Sequence, residues 1–275
     1  MVLVASPASI SMLRAINPEN RQSGVLQVYS LLISAPTPFQ PAGTQTPEPT
    51  PAYTSESAAT RVPKQENASK PKPESTGEDL KRIPIEDLPA SASISGIKGS
   101  PQLYTLDCEA QTAVDWARFF GSRINHQEFI DRLPNSDDPE EGFVGSYNGP
   151  LGQLPPNDYG IHAPPVASLL RDYGLPASAV RDWDYENIKQ EIASGRPVIV
   201  WIVNLPYDII TQEYTASNGN TTRVARYEHT WIITAYNMNV VTVVDSEWTY
   251  NVKISTFFER WEALGKQAIF YNPEQ

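Results

Sequence analysis

The pattern of apolar positions divides the chain after residue 97 into two parts. In the first part apolar residues recur every three or four positions, which predicts helices. In the second they alternate or run together, which predicts strands. The strongest helical repeat begins at Cys108 and ends at Gly121, a natural stop. Its apolar members are Ala110, Ala113, Val114, Ala117 and Phe120.

Three more helices are predicted before the first strand, and a last helix is predicted after most of the strands. Asn125 and Glu128 have the spacing of a capping box, in which Asn125 caps a helix and Glu128 reaches back. Prolines at positions 164 and 165 suit the first turn of a helix that ends at Gly174. The other two are predicted over 184–194, with Asp184 as N-cap, and over 255–264, with Ser255 as N-cap.

The strands belong to one predicted antiparallel sheet. Residues 197–203 form a continuous apolar run, as expected for a fully buried strand, and Asn218-Gly219 is the turn of a hairpin over 212–227. Helices first and an antiparallel sheet second predict an α+β fold. The other predicted strands are 229–236, 240–245, 250–254 and 267–271.

Residues 134–163, between the helix capped by Asn125 and the helix that ends at Gly174, form a long stretch rich in Gly and Pro. Irregular segments of this length in a compact domain are usually functional. We expect this loop to lie over a cleft, as a lid or as an additional substrate-binding surface.

The residues before the predicted domain have a different composition. Residues 36–90 contain 11 prolines among Thr, Ser, Glu and Lys, too few apolar residues to form a core. We therefore predict a disordered Pro/Ser/Thr-rich linker over 36–96 and a folded domain over 97–275. Residues 1–35 loosely resemble a degenerate signal or anchor segment. Together with the linker they favour an extracellular or cell-envelope location, with a cytoplasmic one as the alternative.

Charge and composition narrow the classes of function. Residues 1–95 carry 8 basic and 9 acidic residues, so most of the net charge of −11 lies in the folded domain. Such a domain repels nucleic acid and favours cationic peptides or amines. A single cysteine excludes an intramolecular disulfide and a zinc–thiolate cluster, and no apolar stretch is long enough for an integral membrane domain.

Cys108, the one cysteine, is the first candidate for chemistry. It lies in the first turn of a predicted helix, where the helix dipole favours the thiolate, the reactive form of the side chain. The alternative is a small hydrophobic core residue, which is common for a lone cysteine. A nucleophile would need a base and an orienting group that the fold brings close to it.

The histidines supply one strong candidate for that base. His229 opens a predicted strand and is held by it, and Asp245 ends the next strand, so a hairpin would bring the two side chains together. The alternative interpretation of Asp245 is a turn residue that ends the strand and has no catalytic role. His162 ends the long loop and is a weaker candidate for contacting substrate, and His126 is expected to face solvent. Their scattered spacing argues against a zinc hydrolase.

The order of these residues resembles the C39-like peptidases of the papain-like superfamily. Gln102 precedes Cys108 by six residues, a helix begins at Cys108, Glu228-His229-Thr230 opens a strand and Asp245 closes another. Segments 160–174 and 193–200 also resemble the middle helix and the buried strand of that group. The resemblance implies a papain-like fold with N-terminal helices packed on an antiparallel sheet.

The same resemblance implies roles for individual residues. Cys108 would be the nucleophile, His229 the base and Asp245 the group that orients His229. Gln102, with the backbone N–H of Cys108, would form the oxyanion hole. Glu109 departs from the Gly-Pro that often follows the cysteine. Its charge opposes thiolate formation, and it is a weak candidate for substrate binding. No metal or organic cofactor is implied.

The function predicted on this basis is a thiol peptidase or amidase that hydrolyses a peptide-type bond in a peptide or protein substrate. We expect it to act as a monomer. Two alternatives stay open: a non-catalytic papain-like binding module tethered at a cell surface, and a peptidyl or acyl transferase that uses the same thiol.

Overall fold

The computed structural model describes residues 82–274. The predicted segment 1–35 and the linker up to residue 81 lie outside the described residues. Residues 82–96, the end of the predicted linker, form a turn of 3-10 helix at Ile85–Asp87 and the short strand β1, Ala92–Ser93. β1 pairs with β6, so the sheet includes residues that precede the predicted domain boundary at 97.

The structure has the predicted order of helices followed by strands. The helices are α1 (Cys108–Phe119), α2 (His126–Arg132), α3 (Ala163–Asp172), α4 (Tyr185–Ala193) and α5 (Ile254–Glu262). After β1 the strands are β2 (Ala177–Val180), β3 (Val198–Val203), β4 (Thr211–Thr215), β5 (Thr221–Ala225), β6 (Glu228–Tyr236), β7 (Val240–Asp245), β8 (Trp248–Lys253) and β9 (Ala268–Tyr271).

Seven of the strands form one antiparallel sheet in the order β2-β9-β3-β6-β7-β8, with β1 paired to the far end of β6. β4 and β5 form a separate hairpin. Three consecutive neighbours, β6, β7 and β8, are joined by short turns. The end of β7 therefore lies beside the start of β6, close to where His229 and Asp245 are found.

The sheet is buried on both faces, which explains the continuous apolar run of β3. Ile199, Trp201 and Val203 pack with α1 and α3 on one face. Val198, Val200 and Ile202 pack with α4 and α5 on the other. Alternate residues of a strand point to opposite faces, so a strand covered on both sides must be apolar throughout.

Two predicted details of the elements are wrong. Ser255 is not an N-cap: α5 already begins at Ile254, and Lys253 is the N-cap without a side-chain capping bond. Strand β2 was absent from the predicted pattern, because its sequence Ala-Ser-Ala-Val is short and carries little apolar periodicity. The prediction of Asn125 as a cap is confirmed, since its side chain accepts a hydrogen bond from the Glu128 backbone N–H.

The long loop after α2 contains no helix or strand over 134–162, as predicted, and is fastened to the rest of the domain. Two isolated bridges, Asn135 with Phe143 and Val144 with Gly160, fold it back on itself. Asp138, which is fully buried, accepts hydrogen bonds from the side chains of Asn218 (2.8 Å) and Asn220 (2.9 Å) in the β4–β5 turn. These contacts tie the loop to the hairpin. In the described part of the chain, no helix is long and apolar enough to cross a membrane.

Candidate active site

The entry to α1 is organised by Asp107, a buried carboxylate. Its Oδ2 accepts hydrogen bonds from the backbone N–H groups of Leu103 (2.9 Å) and Tyr104 (3.1 Å). The same oxygen lies 3.2 Å from Nε2 of His126. His126 therefore faces Asp107 and is mostly buried, contrary to the prediction that it faces solvent. Sequence analysis missed Asp107, although a carboxylate just before a helix is a recognisable capping signal.

Cys108 is the first residue of α1, and its side chain lines a cavity of about 110 Å³. The residue is 7% exposed. Its Sγ donates a hydrogen bond to Oε2 of Glu109 at 3.1 Å. The thiol therefore lies at a cavity wall, in contact with a carboxyl group.

The surroundings of Cys108 favour the protonated thiol. Burial, followed by the negative charges of Glu109 and Glu228, raises the pKa of the Cys108 thiol well above its ordinary value. The expectation that the helix dipole favours the thiolate is therefore not met in this resting arrangement. Desolvation and two adjacent carboxyl groups outweigh the half charge of one helix end.

Glu109 and Glu228 form an acidic pair beside the thiol. Oε1 of Glu109 accepts a hydrogen bond from the backbone N–H of Ile161 at 2.8 Å, and burial raises the pKa of both carboxyl groups. The shift is larger for Glu228, which also feels the charge of Glu109. Both carboxyl groups therefore hold a proton more readily than an exposed glutamate does, Glu228 more so than Glu109.

His229 and Asp245 meet as the sequence predicted. Nε2 of His229 lies 2.7 Å from Oδ1 of Asp245. Oδ2 of Asp245 accepts hydrogen bonds from Nε1 of Trp231 (3.1 Å) and the hydroxyl of Tyr250 (2.6 Å). Burial raises the pKa of Asp245, but His229 and these hydrogen bonds together lower it by more, so the pKa lies below its ordinary value. Since Nε2 is engaged, Nδ1 of His229 is left for other chemistry.

Gln102 lies on the same cavity wall as Cys108 and His229. Its side-chain amide donates to Oδ1 of Asp107 at 3.0 Å and to the backbone carbonyl of Tyr104 at 3.4 Å. Both amide hydrogens are therefore used within the turn before α1. The predicted oxyanion contact would require Gln102 to release one of them.

His162 does not contact the cavity, so its prediction as a substrate-binding residue is wrong. It is fully buried. Nδ1 lies 2.5 Å from Oε1 of Glu140, and Nε2 lies 3.1 Å from the hydroxyl of Tyr159. Burial lowers the pKa of His162, so we assign a neutral ring that donates to Glu140 and accepts from Tyr159. Its effect on the cavity is indirect, because it holds Tyr159.

The remaining cavity wall comes from residues that sequence analysis did not single out. Leu151 and Tyr159 belong to the long loop, which confirms that this loop covers a cleft. Tyr207 and Tyr227 are stacked with ring centroids 3.7 Å apart and an interplanar angle of 3°. Only Glu228 had a signal in the sequence, its position next to His229; the tyrosines come from turns with no distinctive pattern.

One group of side chains has the spacing of a metal site. Ligand atoms of Cys108, Glu109 and Glu228 all lie within 4.8 Å of one another. Within residues 82–274 no other group of three or more such residues has this spacing. The group is the same acidic pair and thiol described above.

A sequence profile described as the Peptidase_C39 like family matches residues 97–269. No curated protein matches this chain. Among solved structures, a candidate C39-like peptidase from Bacillus anthracis is 20% identical with a TM-score of 0.58. That alignment covers 66% of this chain and 97% of the other.

Two further structures are similar at lower scores. The peptidase domain of Streptococcus ComA, a bifunctional ABC transporter involved in quorum sensing, is 14% identical with a TM-score of 0.40. It covers 64% of this chain and 98% of its own. Xylellain, a cysteine protease from Xylella fastidiosa, is 13% identical with a TM-score of 0.38, covering 70% and 88%. The likeness to the Bacillus anthracis structure confirms the predicted α+β, papain-like fold.

Proposed function

Because this chain belongs to the Peptidase_C39 like family, we propose that it hydrolyses a peptide-type bond with Cys108 as nucleophile, His229 as base and Asp245 as the orienting group. The observation that supports this most directly is that Cys108 and His229 line one cavity. The 2.7 Å contact between His229 and Asp245 supports the role of Asp245, because it leaves Nδ1 to serve the thiol.

In the proposed reaction Nδ1 of His229 takes the proton of the Cys108 thiol, and Sγ attacks the carbonyl carbon of the substrate. A C–S bond forms and the carbonyl oxygen takes up the negative charge. The C–N bond then breaks, and the leaving amine receives the proton from His229. In the second half, water gives a proton to His229 while its oxygen attacks the thioester carbon, and the sulfur leaves and is protonated again.

The developing negative charge on the carbonyl oxygen needs hydrogen-bond donors. The backbone N–H of Cys108 is a natural one, because the first N–H groups of a helix have no acceptor within the helix. Gln102 is the proposed second donor. Its role requires the amide to turn from Asp107 or from the carbonyl of Tyr104 when substrate binds.

The experiment is alkylation of the purified protein by iodoacetamide and by an epoxide probe of the E-64 type, followed by peptide mass spectrometry. We expect Cys108 to be labelled by both reagents. We expect His229→Ala to slow labelling by about tenfold or more, since it removes the base that accepts the thiol proton. Asp245→Asn should have a smaller effect in the same direction. The matched control is Asn239→Ala, in an exposed turn.

Labelling no faster than that of a free thiol, and unchanged in His229→Ala, would refute the proposed peptidase. That result would favour the alternative of a non-catalytic binding module, which the raised pKa of Cys108 supports. A transferase would pass the labelling test, and only the formation of a new peptide bond with an added amine would identify it.

A further inference from the structure

We infer that the cavity beside Cys108 binds a cationic side chain of the substrate, arginine or lysine, through Glu109 and Glu228. This inference rests on the proposed peptidase function and adds a substrate class to it. The Cys108 sulfur and one oxygen of each carboxyl group all lie within 4.8 Å of one another. The selected residue would therefore lie next to the bond that is cleaved.

The first argument is that the acidic pair has no basic partner. In the described residues neither Glu109 nor Glu228 takes part in a salt bridge, and no Lys or Arg lines the cavity. Buried acidic residues are usually paired with a cation or hold a proton. A substrate cation would supply the missing positive charge.

The second argument is an unpartnered atom. Glu228 is 8% exposed, and its Oε1 is buried without a hydrogen-bond partner. Such atoms are rare because each one costs free energy. Glu109 is instead fixed by the backbone N–H of Ile161. Glu228 lines the cavity and carries an acceptor oxygen that no described group satisfies, which a guanidinium or ammonium N–H would satisfy, and Glu109 supports it by charge.

Gly160 lets the two carboxyl groups approach the loop backbone and each other. It has φ of +138°, and a Cβ at this position would lie 2.3 Å from Oε1 of Glu109 and 2.9 Å from Oε2 of Glu228. Any other residue would push the carboxyl groups apart. The close approach of the loop backbone to the acidic pair therefore depends on glycine at this position.

The rest of the cavity wall suits an aliphatic stem that ends in a cation. Leu151 and Tyr159 supply apolar surface, and the mutually stacked side chains of Tyr207 and Tyr227 add aromatic surface. A hydrated metal ion at the same three ligand atoms would gain nothing from these walls. This difference favours a basic side chain as the occupant.

The test uses two peptidyl chloromethyl ketones that differ in one side chain, arginine in one and citrulline in the other. In both, the Cys108 thiolate forms a C–S bond and chloride leaves, so the chemistry is the same and only the charge differs. We expect the arginine reagent to label Cys108 at least about tenfold faster, a difference of the size seen for one charged contact. All reactions contain a chelator so that metal ions do not compete.

In Glu228→Gln we expect the ratio of the two rates to fall to about threefold or less, because glutamine keeps the shape and loses the charge. The ratio removes any change in thiol reactivity, which affects both reagents equally. Glu247→Gln, an exposed acid outside the cavity, is the matched control and should keep the original ratio.

The outcomes separate this inference from the proposed function. Equal labelling by both reagents in the unmodified protein would overturn the inference and leave the peptidase standing; this comparison needs no variant to fold. A preference for arginine that persists in both Glu228→Gln and Glu109→Gln would also overturn it. If neither reagent labels Cys108, and iodoacetamide fails as well, the proposed function falls and the inference falls with it.

Discussion

At the scale of single residues, Glu109 decides the resting state of the candidate nucleophile. Its carboxylate accepts the thiol hydrogen of Cys108 at 3.1 Å, and its charge adds to burial in raising the pKa of that thiol. A peptidase with this arrangement begins its cycle from the thiol, and the base must remove the proton as substrate binds. Binding of a cation beside Glu109 would also weaken this opposition to the thiolate.

We predict that Glu109→Gln lowers the pKa of Cys108. Glutamine removes the charge of Glu109 next to the thiol and keeps a side-chain oxygen that can accept from the Ile161 N–H. A lower pKa gives more thiolate at any pH below it, and one unit corresponds to about tenfold. We therefore expect iodoacetamide to react about tenfold faster near neutral pH, with the midpoint of the rate–pH curve shifted down.

Glu247→Gln is again the control for this measurement and should leave the curve unchanged. An unaltered midpoint in Glu109→Gln would mean that burial alone sets the pKa of Cys108. Glu109 would then be a structural residue that holds the loop at Ile161.

At the scale of elements, the long loop and the β4–β5 hairpin act as one unit over the cavity. Asp138 joins them through Asn218 and Asn220, and Glu140 joins His162 to Thr222 and Arg181. The unit carries Leu151 and Tyr159 into the cavity wall. Because of these polar anchors, we expect the loop to be less mobile than its Gly- and Pro-rich composition suggests.

We predict that Asp138→Ala lowers the free energy of unfolding by about 2–3 kcal/mol, because it removes a buried carboxylate that accepts several hydrogen bonds. Urea denaturation measures this change. Asp184→Ala is the comparison: Asp184 is the N-cap of α4 but makes no side-chain capping bond, so its loss should cost less than about 1 kcal/mol. Similar losses in the two variants would show that the loop is not anchored through Asp138.

The helices and strands also show which parts of the fold can be predicted from the sequence. Helix α1 and strands β3, β6 and β7 were predicted because apolar periodicity is strong where an element is buried. The pairing of His229 with Asp245 followed from a short hairpin. The carboxylate partners of His162 and His126, which are Glu140 and Asp107, were not predictable, because they are distant in the sequence and no local pattern encodes such contacts.

At the scale of the whole molecule, the start of the folded domain is the clearest difference between prediction and structure. The last part of the predicted linker reads as polar and proline-rich, yet its contacts are specific. Arg82 lies 2.7 Å from Glu191, the carbonyl of Ile83 accepts from Gln190 at 2.6 Å, and the carbonyl of Pro89 accepts from Tyr236 at 3.0 Å. Proline-rich composition disfavours a long helix but does not exclude an extended segment that pairs with a sheet.

This arrangement makes a prediction about two shortened proteins, one beginning at residue 82 and the other at residue 97. If residues 36–81 of the predicted linker 36–96 act only as a linker, the first should unfold in urea with the free energy of the full chain. The second loses β1 and at least three hydrogen bonds or ion pairs, each contributing about 1 kcal/mol, and also uncovers apolar surface beside Ala92 and Ile94. We expect it to be less stable by about 2–4 kcal/mol. If the two shortened proteins are equally stable, the contacts of residues 82–96 add nothing measurable to the free energy of unfolding. The folded domain would then begin at residue 97.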